Sequence, residues 1–162
     1  MAILIVAILT ISMGASMTLV PSANAHSPAW QVPTYTFISV SPNPIGVGQQ
    51  VNVNFWVNMP PPTASAQYGD RWTNMTVIIT HPDGTIEKLG PYTSDATGGS
   101  HTTYTPTVVG NYTFQMKFGG ETLKGLNTAN GLPSTDPSVG DYFQPSSSNI
   151  WTLNVQQDPI LY

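Results

Sequence analysis

The sequence contains no cysteine and very little charge: of 162 residues, four are Lys or Arg and eight are Asp or Glu, for a net charge of -4. Each shortage excludes something. Without cysteine there is no disulfide frame, no thiolate zinc centre and no cysteine nucleophile. The fold must therefore rest on an apolar core, which roughly 135 residues suffice to build as one domain. Four scattered cations form no patch able to displace counterions from phosphates, which argues against nucleic acid as a partner. After the first twenty residues, apolar side chains nowhere recur at helical spacing for more than a turn. No serine lies in a nucleophile elbow, and GVGQQ leads into a strand and so lacks the helix N-terminus of a phosphate site. No carboxylate pair has a spacing that singles out a glycosidase. A non-enzymatic protein without a cofactor is expected.

What is present begins with an uncharged apolar run, MAILIVAILTISMGASMTLV, followed by small residues at Ala23 and Ala25. This pattern predicts a signal peptide over residues 1–25, cut before His26, and places the chain outside the cell or at its surface. An uncut membrane anchor is the competing expectation, because a run of this length also spans a bilayer.

Beyond it, alternation dominates and turn residues punctuate it about every ten positions. In QVNVNFWVN, Val51, Val53, Phe55 and Val57 share one face, while Asn52, Asn54, Trp56 and Asn58 share the other. TYTFISV precedes it. TNMTVIIT and TIEKLG flank HPDG, a hairpin turn with Pro, Asp and Gly in place. SHTTYTPTVVGNYTFQMKF holds two strands around a corner, and NIWTLNVQQ is the last. Seven strands over residues 26–158 predict an all-β, constant-type immunoglobulin-like sandwich, with 159–162 expected as the start of a linker or a truncated C-terminus. Tyr112 is placed as a tyrosine corner whose hydroxyl ties down the preceding turn, or else as a plain inward aromatic. Phe114 is expected to face Phe55 or Val53 in the core.

Strand direction sorts the loops by pole. His26 and His101 fall at one end, His101 in a turn, where with a free terminal amine they offer nitrogen donors of the kind Cu(II) accepts. His81 falls at the other end, ~20 Å away. Asp70, Asp95, Asp136 and Asp141 map to the same end as His26, where calcium is one reading and solvated turn residues the other. Trp56, Tyr142 and Phe143 are candidate sugar-stacking rings, or else covered by packing. The connection from Gly119 to Asn149 is far longer than a hairpin loop, so a mobile centre and a sandwich that survives its deletion are expected, or else a partner surface made by the ends of the loop. Asn74 and Asn111 head N-glycosylation sequons. Trp30 is expected to cap the end of the sandwich.

The segments HSPAW, SPNPIGVGQ, YGDRW, ITHPDGTIEKLGPYTSD and YTPTVVGNYTF together resemble the N-terminal immunoglobulin-like region of secreted archaeal proteins that continue into a PQQ-like β-propeller. The resemblance implies a module leading a larger extracellular protein and carries no catalytic residue. A structural or adhesive module is the first expectation, whose partners are other extracellular domains or surface proteins. A carbohydrate-binding module is the second, and a copper protein the third.

Overall fold

A computed structural model describes residues 25–161; the expected signal peptide, apart from Ala25, lies outside the described residues. Twelve strands and no helix are present among them. In chain order they are β1 (Gln31–Val32), β2 (Thr36–Ser41), β3 (Ile45–Gly46), β4 (Val51–Val57), β5 (Met75–Thr80) and β6 (Ile86–Tyr92). Then come β7 (Gly99–Tyr104), β8 (Gly110–Phe118), β9 (Glu121–Thr122), β10 (Tyr142–Phe143), β11 (Ser146–Ser147) and β12 (Trp151–Gln156). The seven long ones coincide with the seven strands expected from alternation.

They form a two-layer sandwich. One sheet has the order β2-β4-β7, and the other β3-β12-β8-β5-β6, with β11 paired to β8. Alternation sets the layers: along β4 every odd residue is buried and every even one exposed, and β8 buries Tyr112, Phe114, Met116 and Phe118. The two inner faces meet in one core, as period-two patterning requires.

The immunoglobulin-like sandwich stands, but the constant-type arrangement does not. In that arrangement the fourth strand lies beside the first sheet; here β6 stays with its hairpin partner β5. The turn explains this. His81 N–H donates to Thr85 O and Gly84 N–H to His81 O, both at 2.9 Å, while Asp83 Oδ1 accepts Thr85 N–H. So short a connection leaves β6 no length to cross the sandwich. As an edge strand β6 also tolerates Pro91, opposite a register shift between Met75 and Val77.

The first long strand changes sheets. β2 pairs with β4 over Thr36–Ser41, and the chain then meets Pro42 and Pro44, which lack the N–H needed to extend the ladder. It continues as β3, parallel to β12, with Ile45 opposite Val155. Beyond β12, Gln49 holds the departing chain: its Oε1 accepts from Gly46 N–H and Ile160 N–H, and its Nε2 donates to Ile160 O.

The long connection after β8 is part of the fold. It contains β9, β10 and β11, and β10 joins β1 and β9 in a small third sheet. Phe143 and Leu123 from this segment are each 2% exposed. Phe143 lies 4.8 Å, ring to ring, from Trp72, which is fully buried, also touches Phe118 and donates its indole N–H to Met59 O. The expectation of a detachable loop therefore gives way, because deletion would strip the wall from a buried tryptophan.

Candidate functional site

On the outer face of the three-stranded sheet, register puts Phe37, Trp56 and Gly99 in one row and Ser39, Asn54 and His101 in the next. The Phe37 and Trp56 rings stack at 5.5 Å with planes 19° apart, yet they are 45% and 39% exposed. Gly99 lacks a side chain beside Trp56, so that edge of the indole stays open. Next to it Asn54, His101 and Asp95 surround a cleft of about 310 Å³. Asp95 is held in place by its turn: one carboxylate oxygen accepts Thr97 N–H, Thr97 O–H and Gly99 N–H. Burial works against its ionisation, but the hydrogen bonds from Thr97, Gly99 and Gly98 outweigh it and hold the carboxyl below its ordinary value of 3.8.

The aromatic strip continues around the sheet edge. Tyr35 shares a side with Phe37, and these two with Ile150 and Trp151 line a second cleft of about 300 Å³. All four are exposed. Contiguous rings of this kind mark interaction surfaces, whereas isolated exposed apolar residues do not.

The other proposed ligand rings lie elsewhere. Phe143 is a core residue, and Tyr142 is half-buried in β10 between β1 and β9. Neither joins Trp56, so the three residues do not form one platform.

His26 and His101 are not brought together. His101 lies within β7, opposite Asn54, rather than in a turn. His26 Nδ1 is 2.7 Å from Asp141 Oδ2, and its ring lies flat on Trp30, with centroids 3.5 Å apart and planes 3° from parallel. Asp141, only 1% exposed, also accepts Trp30 N–H at 2.8 Å on its other oxygen, and His26 N–H donates to Pro137 O. The cluster is a clasp joining the start of the described chain to the long connection. Trp30 does not cap the sandwich: it is 58% exposed, with one face on His26.

Nor do the four aspartates converge. Asp70 accepts Thr63 O–H and the N–H groups of Gly125 and Leu126, Asp136 accepts Ser138 N–H, and Asp95 and Asp141 have the partners given above. Among the described residues no three His, Cys, Asp or Glu side chains gather as metal ligands. Asn74 and Asn111 are both exposed; Asn111 lies within β8, and the Asn74 amide donates to Gly120 O.

Tyr112 is not a tyrosine corner. It is fully buried and its hydroxyl has no hydrogen-bond partner among the described residues. Its ring packs against His81 at 5.2 Å and Tyr104 at 5.9 Å. Phe114 meets Tyr104, and Phe55 meets Tyr92, although both phenylalanines share the core as expected. The sequence reading missed the group beside Tyr112: His81 Nε2 lies 3.0 Å from Glu87 Oε2, which also accepts the Tyr104 hydroxyl at 3.4 Å. Burial first, and then the Glu87 and Tyr112 charges, push the Tyr104 hydroxyl well above its ordinary value. The signal was available, since a tight turn at HPDG brings residues 81 and 87 to the same end of the hairpin.

No family model matches the chain, and no curated protein matches it. Two solved structures are similar at low identity. The PKD domain of an M14-like peptidase from a Thermoplasmatales archaeon is 16% identical with a TM-score of 0.40, over 78% of this chain and 99% of that one. The CARDB domain of a Pyrococcus furiosus protein is 13% identical with a TM-score of 0.35, over 79% of this chain and 100% of its own.

Proposed function

We propose that the chain is a non-catalytic immunoglobulin-like module that acts outside the cell as a structural or adhesive domain, leads a larger protein, and holds a partner on the outer face of its three-stranded sheet. The observation that carries this is the open Phe37–Trp56 stack, continued by Tyr35 and Trp151. A sandwich buries its apolar core on inner faces, so rings aligned outward on a paired sheet add only a cross-strand pair to folding and leave apolar surface open for association. Support for a non-catalytic role comes from Asp70, Asp95, Asp136 and Asp141, each of which has at least one carboxylate oxygen engaged in a turn or staple within the fold. The extracellular setting rests on the leader-like pattern of residues 1–25.

The test is attachment of fluorescently labelled module to intact cells and isolated envelopes. Phe37→Ala with Trp56→Ala is expected to abolish attachment while lowering the thermal melt only by the few degrees a lost cross-strand pair costs, so that the domain stays folded at the assay temperature. Equal attachment by the double variant sinks the proposal.

A second reading is favoured by one observation. Trp56 presents an open ring edge beside Asn54, His101 and the fixed Asp95 carboxylate, the mixture of flat apolar and hydrogen-bonding groups that suits a neutral saccharide. Glycan-array binding that disappears in Trp56→Ala alone would select this reading.

A further inference from the structure

The opposite sheet carries a different surface. A groove of about 740 Å³ runs over the outer face of β6, β5 and β8 and against β11. Its lining includes Lys88 and Lys117 and not a single carboxylate. In a chain with four cations and eight acidic residues, half of all the positive charge therefore converges on one groove. Among the described residues neither lysine forms an ion pair.

Register fixes their spacing. Lys117 lies opposite Thr76 and Lys88 opposite Ile78, on the two strands flanking β5. Two strand spacings across and two residues along place their Cα atoms about 12 Å apart. On flexible four-carbon stems the two ammoniums can splay to meet charges on successive units of a chain or close on a single small anion, which the sulfate competition below separates. The remaining lining matches a sugar chain. Thr76 and Ser147 bring hydroxyls, Asn74 an amide, and Pro91 and Pro145 flat aliphatic surface. No exposed ring is present to stack a base, and no arginine to fork onto a phosphate.

We propose that this groove binds an acidic saccharide, its carboxylates on Lys88 and Lys117. The site is separate from the Phe37–Trp56 face, on the other layer of the sandwich.

The test uses the chain produced without glycosylation, because Asn74 lines the groove, and titrates it with tri-galacturonate at low salt by calorimetry and amide chemical shifts. Binding is expected to shift amides of Thr76, Lys88 and Lys117, and to weaken as salt rises. Lys88→Gln and Lys117→Gln should each reduce affinity roughly tenfold. Trp56→Ala should leave binding unchanged, so failure at the aromatic face and failure here are read separately. Equal binding of the neutral galactose trimer, or undiminished binding by both lysine variants, overturns the proposal. So does competition by inorganic sulfate at the same concentration, or tighter binding of a short single-stranded DNA.

Discussion

Replacing Asp141 with alanine tests whether the clasp holds the start of the chain. The carboxylate is almost fully buried and accepts from His26 Nδ1 at 2.7 Å and from Trp30 N–H at 2.8 Å. Hydrogen bonds to a charged group contribute about 1.5–3 kcal/mol each. Trp30 is exposed and its N–H recovers water, so the low end applies and the two together come to about 3 kcal/mol. Two ladder bonds report on the clasp: Tyr142 N–H to Trp30 O and Gln144 N–H to Val32 O. If the β1 segment opens by itself, 3 kcal/mol appears as roughly 100-fold faster amide exchange at Tyr142 and Gln144. Amides of β4 and β8 should stay protected. If opening is coupled to the whole domain, the melting temperature falls instead by roughly 10 °C, at 3–4 °C per kcal/mol for this chain length. Asp141→Asn keeps an acceptor for Trp30 and should give about a tenfold effect. Exchange within about twofold of the parent together with an unchanged melt in Asp141→Ala would refute the reasoning.

Three further outcomes follow from the packing. Phe143→Ala should cost about 3–5 kcal/mol in equilibrium denaturation, because it empties the space beside Trp72; a loss below about 1 kcal/mol would make the long connection an appendage after all. Tyr104 has a hydroxyl value raised by burial and by Glu87, so the folded state holds its proton more tightly than the unfolded one. Its contribution is complete below the unfolded value near 10 and declines as the pH rises past it, so Tyr104→Phe should flatten the fall of melting temperature between about pH 9 and 11. Gly69 has φ +83, and a Cβ there would lie 1.9 Å from Thr63 O, so Gly69→Ala should destabilise by about 2–4 kcal/mol in urea unfolding.

Strand positions were legible because half-buried strands write their burial in alternate letters: Val51, Val53, Phe55 and Val57 declare an inward face wherever the strand sits. Sheet membership was not, since β6 reads the same whether it stays with β5 or crosses to the other layer, and only the shortness of the HPDG turn decides. Trp56 was legible as an outward ring, but its partner Phe37 was not, because pairing Phe37 with Trp56 depends on the register of β2 against β4. Residues joined across more than a hundred positions left no local trace. His26 and Asp141 are 115 apart in sequence, and each taken alone suggested a metal ligand in a loop. Phe143 misled for a related reason: an aromatic in a segment rich in Gly, Pro and Ser looks exposed until the buried Trp72 it covers is known.

The parallel pairing of β3 with β12 has a mechanical consequence. The chain enters β3 from one direction and leaves β12 in the other, so tension applied through the two ends pulls these strands past each other lengthwise. Val47 N–H to Gln156 O and the Gln49 bridge to Ile160 lie along the same seam. Its bonds must then yield together instead of opening one at a time, and the lifetime under load is set by the unfolding rate rather than by the folding equilibrium. Under load through both ends, the Asp141 clasp and the β2–β4 ladder are met first from the leading side, and this seam, where Pro42 and Pro44 turned the chain from one sheet to the other, is the shear-loaded element behind them.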